Sequence, residues 1–225
     1  MTKECQMTND EWNCDAEPAI RYSSFVIDFG VVILGAGASS RMGRPKLLLT
    51  WRDTTVIGHL ILQWRELGAA QIAVVLRPDD SALVAELNRL NFSQADRIAN
   101  PQPERGMFSS IVCAARWSGW QPDIAGWAIA LGDQPHLRTE TLRMLLDCWR
   151  QNLDAICQPM FGGHAAHPVI LPRSMFEALK SSGAGTLKDF LKLARCRSVR
   201  HVINDSGLTL DLDTPEDYIK ARASL

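Results

Sequence analysis

From residue 25 onward, short apolar runs alternate with stretches whose apolar residues recur three and four positions apart. The runs at residues 25–34, 71–76, 97–100, 127–131, 155–160, 168–171 and 199–203 predict strands. Residues 56–67, 81–90, 109–117, 139–152, 173–179 and 186–194 predict helices between them. This is the rhythm of βαβ units, so the expected fold class is α/β: a single doubly wound, mostly parallel sheet with helices on both faces. No repeat, low-complexity segment or linker divides residues 25–225, which read as one domain. Residues 1–24 carry Lys3, Glu4, Asp10, Glu11, Asp15 and Glu17 without an apolar stretch, so they read as a loosely ordered extension and not as a signal peptide.

In open sheets of this kind, ligands bind beyond the carboxyl ends of the strands, so motifs that carry chemistry should follow apolar runs. Residues 35–46, 100–110 and 132–135 do so. The first is the most informative. Residues 31–46 read VVILGAGASSRMGRPK: an apolar strand, six small residues from Gly35 to Ser40, then the cations Arg41, Arg44 and Lys46. Glycines allow successive N–H groups to converge on one anion and let a phosphate approach the main chain. The stretch therefore predicts a polyphosphate cradle. A dinucleotide fingerprint G-x-G-x-x-G would need glycine where Ser40 stands, and Pro45 opposes a helix through that point. A Walker loop would need Lys directly after its last glycine, whereas Lys46 lies beyond Gly43 with Arg44 and Pro45 between, and is followed by Leu47.

Asp133 ends the apolar run WAIALGD, where an isolated carboxylate must be paired or bound to a metal. Magnesium fits, because it takes one or two carboxylates and completes its shell with phosphate oxygens and water. The competing role, capping the next helix, falls to Thr139. Asp211 and Asp213 alternate with leucines in LDLD and are expected to share one face of a short strand, where both could reach one ion. Asp213 can equally open a helix, two residues before Pro215 and with acidic residues beyond it. Ser109 and Ser110 stand at an expected helix N-terminus, which offers free N–H groups to an anion; an ordinary serine cap explains them as well.

With 225 residues and 46% apolar content, the chain can bury roughly 70% of its unfolded surface without a disulfide or metal staple. Its formal net charge of −1 creates no field that would draw nucleic acid or an anionic membrane, so phosphate attraction must come from the local cluster of Arg41, Arg44 and Lys46. The longest apolar run, residues 124–132, falls far short of the roughly 20 residues of a membrane span. Cysteines at 5, 14, 113, 148, 157 and 196 form no C-x-x-C pair, which predicts reduced thiols and a cytoplasmic protein. His164 and His167 have no Cys or carboxylate nearby at ligand spacing, which argues against zinc. Arg77 follows the run at 71–76 and could reach a nucleotide, but Pro78, Asp79 and Asp80 read equally well as a turn and helix start.

With Leu34, Gly37, Ser39, Arg41, Met42, Gly43, Lys46 and Leu48 in place, the first loop resembles the signature L-A-A/G-G-x-S-x-R-M-G-x-x-K-x-L of the molybdenum cofactor nucleotidyltransferase family. The resemblance continues in Asn100-Pro101 through Gly106-Met107-Phe108-Ser109-Ser110 and in GGHAAHPVIL at residues 162–171. It also covers DLDTPED near the C-terminus, a segment that closes the domain in that family and contributes to its metal site. It departs at Ala166, where the family usually has glycine, and at residues 183–188, where G-D-x-G-A-R is expected and only Lys188 offers a substitute cation.

The resemblance implies a magnesium-dependent transfer of a nucleoside monophosphate to the phosphate of molybdopterin, with release of pyrophosphate. It implies Arg41, Lys46 and Asp133 as catalytic groups, and Asp133 with Asp213, or Asp211 in its place, at the ion. Nucleotide contacts are expected from Leu34, Gly35, Ala36, Gly37, Ser39, Ser40, Arg41, Met42, Gly43, Lys46, Asn100, Ser109 and Ser110, and acceptor contacts from Gln134, His167 and Pro168. Ala36 stands where cytidylyl-transferring members tend to have alanine and guanylyl-transferring members glycine, so CTP is the expected donor over GTP. A molybdenum hydroxylase or its maturation factor is the expected partner. Transfer to a sugar phosphate or methylerythritol phosphate, and a non-catalytic binding or handover role, stay open as alternatives.

Overall fold

The computed structural model describes residues 27–37 and 42–223. The expected N-terminal extension, the first two residues of the first expected strand, and Ser39, Ser40 and Arg41 lie outside the described residues. In chain order the elements begin with β1 (Phe29–Leu34), β2 (Thr50–Trp51), β3 (Thr54–Thr55), α1 (Val56–Glu66), β4 (Gln71–Leu76), α2 (Ser81–Arg89) and β5 (Arg97–Ala99). They continue with α3 (Met107–Arg116), β6 (Gly126–Leu131), α4 (Thr139–Arg150), β7 (Ile156–Phe161), β8 (His164–Ala165) and β9 (Val169–Pro172). The last are α5 (Arg173–Ala178), α6 (Leu187–Leu193), β10 (Ser198–Val202) and α7 (Pro215–Arg222).

The main sheet has the order β10-β7-β9-β6-β1-β4-β5, with β8 paired to β7. β1 is central because both of its faces are apolar: Phe29, Val31 and Ile33 enter one core layer and Val32 the other. Helices α1, α2, α4 and α7 cover the first face through Trp64, Leu87, Trp149 and Ala221. Helices α3, α5 and α6 cover the second through Ile111, Phe176 and Phe190. The sheet is therefore doubly wound, as the alternation of runs predicted. Burying one of these large apolar side chains contributes about 1.5–3 kcal/mol, so the two layers hold the sheet rigid beneath the strand-end loops.

Strand direction places those loops. β4 and β6 flank β1 in parallel, and Leu34 stands opposite both Val75 and Leu131. The three strands thus end at one level, and the segments after them emerge side by side. β5 is parallel to β4, which adds the segment after Ala99 to the same edge. β9 runs antiparallel between β6 and β7. Its beginning therefore lies at the edge where these antiparallel neighbours end, which brings His167 and the cis His167–Pro168 bond to that edge.

Crowding at the strand ends explains two glycines. A Cβ on Gly132 would stand 2.6 Å from the Leu34 carbonyl oxygen, and one on Gly35 would stand 2.9 Å from the Val75 carbonyl oxygen. Both glycines let neighbouring loops touch. Gly37 differs, since a Cβ there would meet nothing within 4 Å among the described residues. Gly43 is required by its backbone, with φ of +69°.

Several expected boundaries shift. Helix α3 begins at Met107, two residues before the expected start, with Gly106 at the cap position. Thr139 is the first residue of α4 and not its cap; Arg138 holds the cap position without a side-chain hydrogen bond, and Thr139 Oγ1 accepts from Gln63 Nε2 at 3.4 Å. The hairpin of β2 and β3 has two residues per strand, too few to show an alternating pattern. Among the described residues, no helix is long and apolar enough to cross a membrane.

Candidate active site

The segments after β1, β4, β5 and β6, together with the start of β9, surround a cleft of about 710 Å³. Leu34, Gly35, Ala36 and Gly37 line it from the first loop, and Gly106, Met107 and Ser110 from the start of α3. Lys46, Asp133, His167, Asp211 and Asp213 line it as well. A second cleft of about 590 Å³ shares Gly35, Gly37, Lys46 and Arg77 with the first and adds Gly43 and Arg44. Five chain segments far apart in sequence thus bring their expected site residues to one place.

Lys46 stands at the centre of the charges. It belongs to a 3₁₀ turn, Lys46–Leu48, that is anchored by the buried Leu47. Its ammonium donates to Asp213 Oδ1 at 2.5 Å and to Asp133 Oδ2 at 3.4 Å. Burial, reinforced by repulsion from Asp211, raises the Asp133 carboxyl above its ordinary pKa, while Lys46 pulls the other way. A carboxylate in this position is costly to ionise and gains strongly from a cation.

Asp211 and Asp213 do not form the expected strand. Leu212 N donates to the Asp133 carbonyl at 3.1 Å, and Asp213 N donates to the Asp211 carbonyl at 2.9 Å, a tight turn that forbids a ladder. The predicted alternation survives in another form, with Leu212 wholly buried and both aspartates lining the cleft. The two readings of Asp213 are also separated. Thr214, not Asp213, caps α7, in a capping box with Asp217. The Asp213 carboxylate is left for Lys46.

Other expected contacts act at one remove. Asn100 is 1% exposed and does not line the cleft; its Nδ2 donates to Ser109 Oγ at 2.8 Å and Ser110 Oγ at 3.0 Å, so it clamps the start of α3. Ser109 donates its hydroxyl proton to main-chain carbonyls of that turn, and Ser110 alone of the two lines the cleft. Met42 is 5% exposed in the same core cluster as Leu47 and Leu49, a loop anchor whose side chain does not reach the cleft. Gln134 is buried and holds Asp211 through Nε2 at 2.8 Å. Pro168 lines a small void beneath the cleft region with Gln134, Leu137 and Leu142, so His167 is the expected acceptor residue that reaches the cleft itself.

Two charged residues of the larger cleft were not assigned from sequence. Arg77 lines both clefts, with its guanidinium gripped by Asp79 at 3.1 and 3.3 Å. Glu104 lines the larger cleft. The signal for both was position alone: each lies just past a parallel strand, at the ligand edge of the sheet.

His167 Nδ1 faces the Ile129 carbonyl at 3.4 Å, and burial holds its pKa below the ordinary value. His59 is lowered by burial and by Arg52. A histidine whose folded pKa lies below its unfolded value of about 6.5 leaves stability untouched above that pH and subtracts from it as the pH falls further. Between about pH 7 and pH 5, acidification is expected to cost His167→Gln less melting temperature than it costs the wild type; identical slopes would contradict this account.

A doubly wound sheet with this strand-end cleft is the architecture of the α/β nucleotidyltransferases, and this chain is one of them. It belongs to the family described as the MobA-like NTP transferase domain, whose model matches residues 31–202. The chain is similar to the molybdenum cofactor cytidylyltransferase of Escherichia coli K12, with 25% identity over 85% of this chain and 94% of that protein. It is also similar to a probable molybdenum cofactor guanylyltransferase of Bacillus mycoides, with 23% identity over 86% of this chain and 96% of that one. Among solved structures, Rv0371c of Mycobacterium tuberculosis H37Rv superposes with a TM-score of 0.68 and 28% identity, over 87% of this chain and 97% of that chain. The same mycobacterial protein has been solved as a complex with manganese, at a TM-score of 0.63 and 26% identity over 88% of this chain and 100% of that chain.

Proposed function

We propose that this chain transfers the CMP unit of CTP to the terminal phosphate of molybdopterin and releases pyrophosphate, using a divalent ion of the magnesium type. The observation that carries the reading is the placement of Lys46, Asp133 and Asp213 in one cleft with the glycine-lined loop. The donor set suits such an ion: carboxylate oxygens are hard ligands, and among the described residues nothing crowds Gly37, where phosphate would approach. Among the described residues, no group of three or more His, Cys, Asp or Glu side chains could hold a metal by itself, so phosphate and water would complete the shell. Asp133 and Asp213 would hold the ion, which supplies charge neutralisation at the phosphates when bound.

In this reading an oxygen of the acceptor phosphate forms a bond to the α-phosphorus as the bond from that phosphorus to the pyrophosphate oxygen breaks. The attacking phosphate is already ionised at neutral pH, so no protein base has to remove a proton. The chain supplies alignment and charge, as phosphoryl-type transfer requires. The loop at Gly35 and Gly37 would bind the triphosphate, and Lys46 would offset negative charge that grows on the leaving pyrophosphate. Arg41 is assigned to the phosphates with it on the motif alone. His167, kept neutral by its burial, would face the acceptor without adding charge.

The cytidylyltransferase relative and the position of Ala36 in the cleft support CTP, and the two molybdenum cofactor relatives support the acceptor. The product would serve a molybdenum hydroxylase or its maturation factor. Pyrophosphate release, measured for CTP and GTP against molybdopterin, sugar phosphates and methylerythritol phosphate, tests each part. CTP with molybdopterin and magnesium is expected to turn over, to stop on chelation of the metal and to resume when magnesium returns. Tighter calorimetric binding of GTP would overturn the base assignment, and turnover with another acceptor alone would overturn molybdopterin. Binding without turnover would make the protein a carrier.

A further inference from the structure

Lys46 holds one oxygen of each of the two carboxylates that the proposed function assigns to a metal, and the inference drawn from this rests on that reading. Its ammonium lies 2.5 Å from Asp213 Oδ1 and 3.4 Å from Asp133 Oδ2. A divalent ion of the magnesium class takes such oxygens at about 2.1 Å and tolerates little distortion. An ammonium at its present place and a dication on the same carboxylates would be close neighbours of like sign. The Lys46 side chain is 13% exposed and the Asp133 side chain 28%, so solvent screens that repulsion weakly. The two cations therefore compete for these carboxylates.

Lys46 also borders a second cleft that could receive its ammonium. Lys46 lines the adjoining cleft with Gly37, Gly43 and Arg44, beside the loop that would cradle a triphosphate. We infer that Lys46 is an exchange residue: it neutralises Asp133 and Asp213 itself and yields them to a divalent ion when a triphosphate is present to receive the ammonium. A triphosphate completes both halves, because its oxygens ligate the ion and pair with the lysine. Metal and nucleotide binding are thereby linked, and linkage of this kind is reciprocal. The burial of Asp133 and its repulsion by Asp211 make the site intolerant of being left without either cation.

The test is a titration of Mn2+ followed by the electron paramagnetic resonance of the free ion, on the full chain, first without nucleotide. Lys46→Met is expected to bind Mn2+ alone at least about fivefold more tightly than the wild type, the lower end of ordinary coupling strengths. Arg44→Met, which removes a neighbouring cation that shares the second cleft, should change Mn2+ binding little. Unchanged or weaker Mn2+ binding by Lys46→Met, or an equal gain in Arg44→Met, would overturn the exchange and leave only a general field effect. Circular dichroism melts establish that each variant folds, and Lys46→Gln carries the same comparison should the methionine variant not fold. The arm without nucleotide is decisive, because triphosphates bind Mn2+ on their own. It also separates the two ideas: failure of CTP to bind the wild type counts against the proposed donor, while the Mn2+ arm still decides the exchange.

Discussion

Asp133→Asn is expected to lower turnover by about 10²- to 10³-fold or more while raising the melting temperature. The rate loss follows from removing a charged ligand that the proposed reaction needs. The gain in stability follows from the environment of the carboxyl, which burial and Asp211 hold above its ordinary pKa. A carboxyl whose folded pKa exceeds its unfolded value binds more protons when folded, so its contribution worsens as pH rises through that interval. At neutral pH the ionised Asp133 therefore subtracts from stability, and a neutral isostere removes that cost. Steady-state pyrophosphate release and calorimetric melts at pH 7 and about pH 4 check both halves. Near-wild-type turnover would remove Asp133 from the reaction, and a lower melting temperature at neutral pH would refute the account of its burial.

Lys46→Ala should also lose about 10²- to 10³-fold, with most of the loss in kcat. Charge on the leaving pyrophosphate grows only as the reaction proceeds, so an ammonium aimed at it contributes more to the transition state than to the bound triphosphate. Lys46→Arg should recover part of the rate, because the guanidinium keeps the charge but is planar and forked where the site accommodates a compact ammonium between two carboxylates. A loss confined to KM would mean that Lys46 only binds the nucleotide. Equal activity of the alanine variant and the wild type would withdraw the role altogether.

Much of the fold was legible in the chain. The run around Val31 to Ile33 is apolar on both faces, and only a central strand of a doubly wound sheet is buried on both sides. The loop at Gly35 reads as a phosphate cradle from its sequence, and the glycines at the strand ends divide by cause. Gly35 and Gly132 are required by neighbouring carbonyl oxygens, which no local pattern reveals, whereas a Cβ on Gly37 would meet nothing within 4 Å among the described residues. The site was legible as a set of motifs but not as a set of contacts. Asn100, Gln134 and Met42 lie inside matching motifs and act by holding other residues in place. A motif records which positions matter to a site without separating those that touch a ligand from those that position their neighbours.

The chain by itself determined the strand and helix rhythm, the ligand edge of the sheet, and the residue types gathered there, because these depend on spacing and on the solubility of each side chain. Tertiary structure decided the pairings. The alternation of Asp211, Leu212 and Asp213 left Asp213 open to a helix cap or an ion site; the structure gives the cap to Thr214 and pairs the Asp213 carboxylate with Lys46. His167 comes to the cleft because β9 runs against its neighbours, a direction that no residue of β9 encodes alone. Lys46 and Asp213 are 167 residues apart in sequence. Their contact exists only because the sheet brings both segments to one edge, where burial makes each charge require the other.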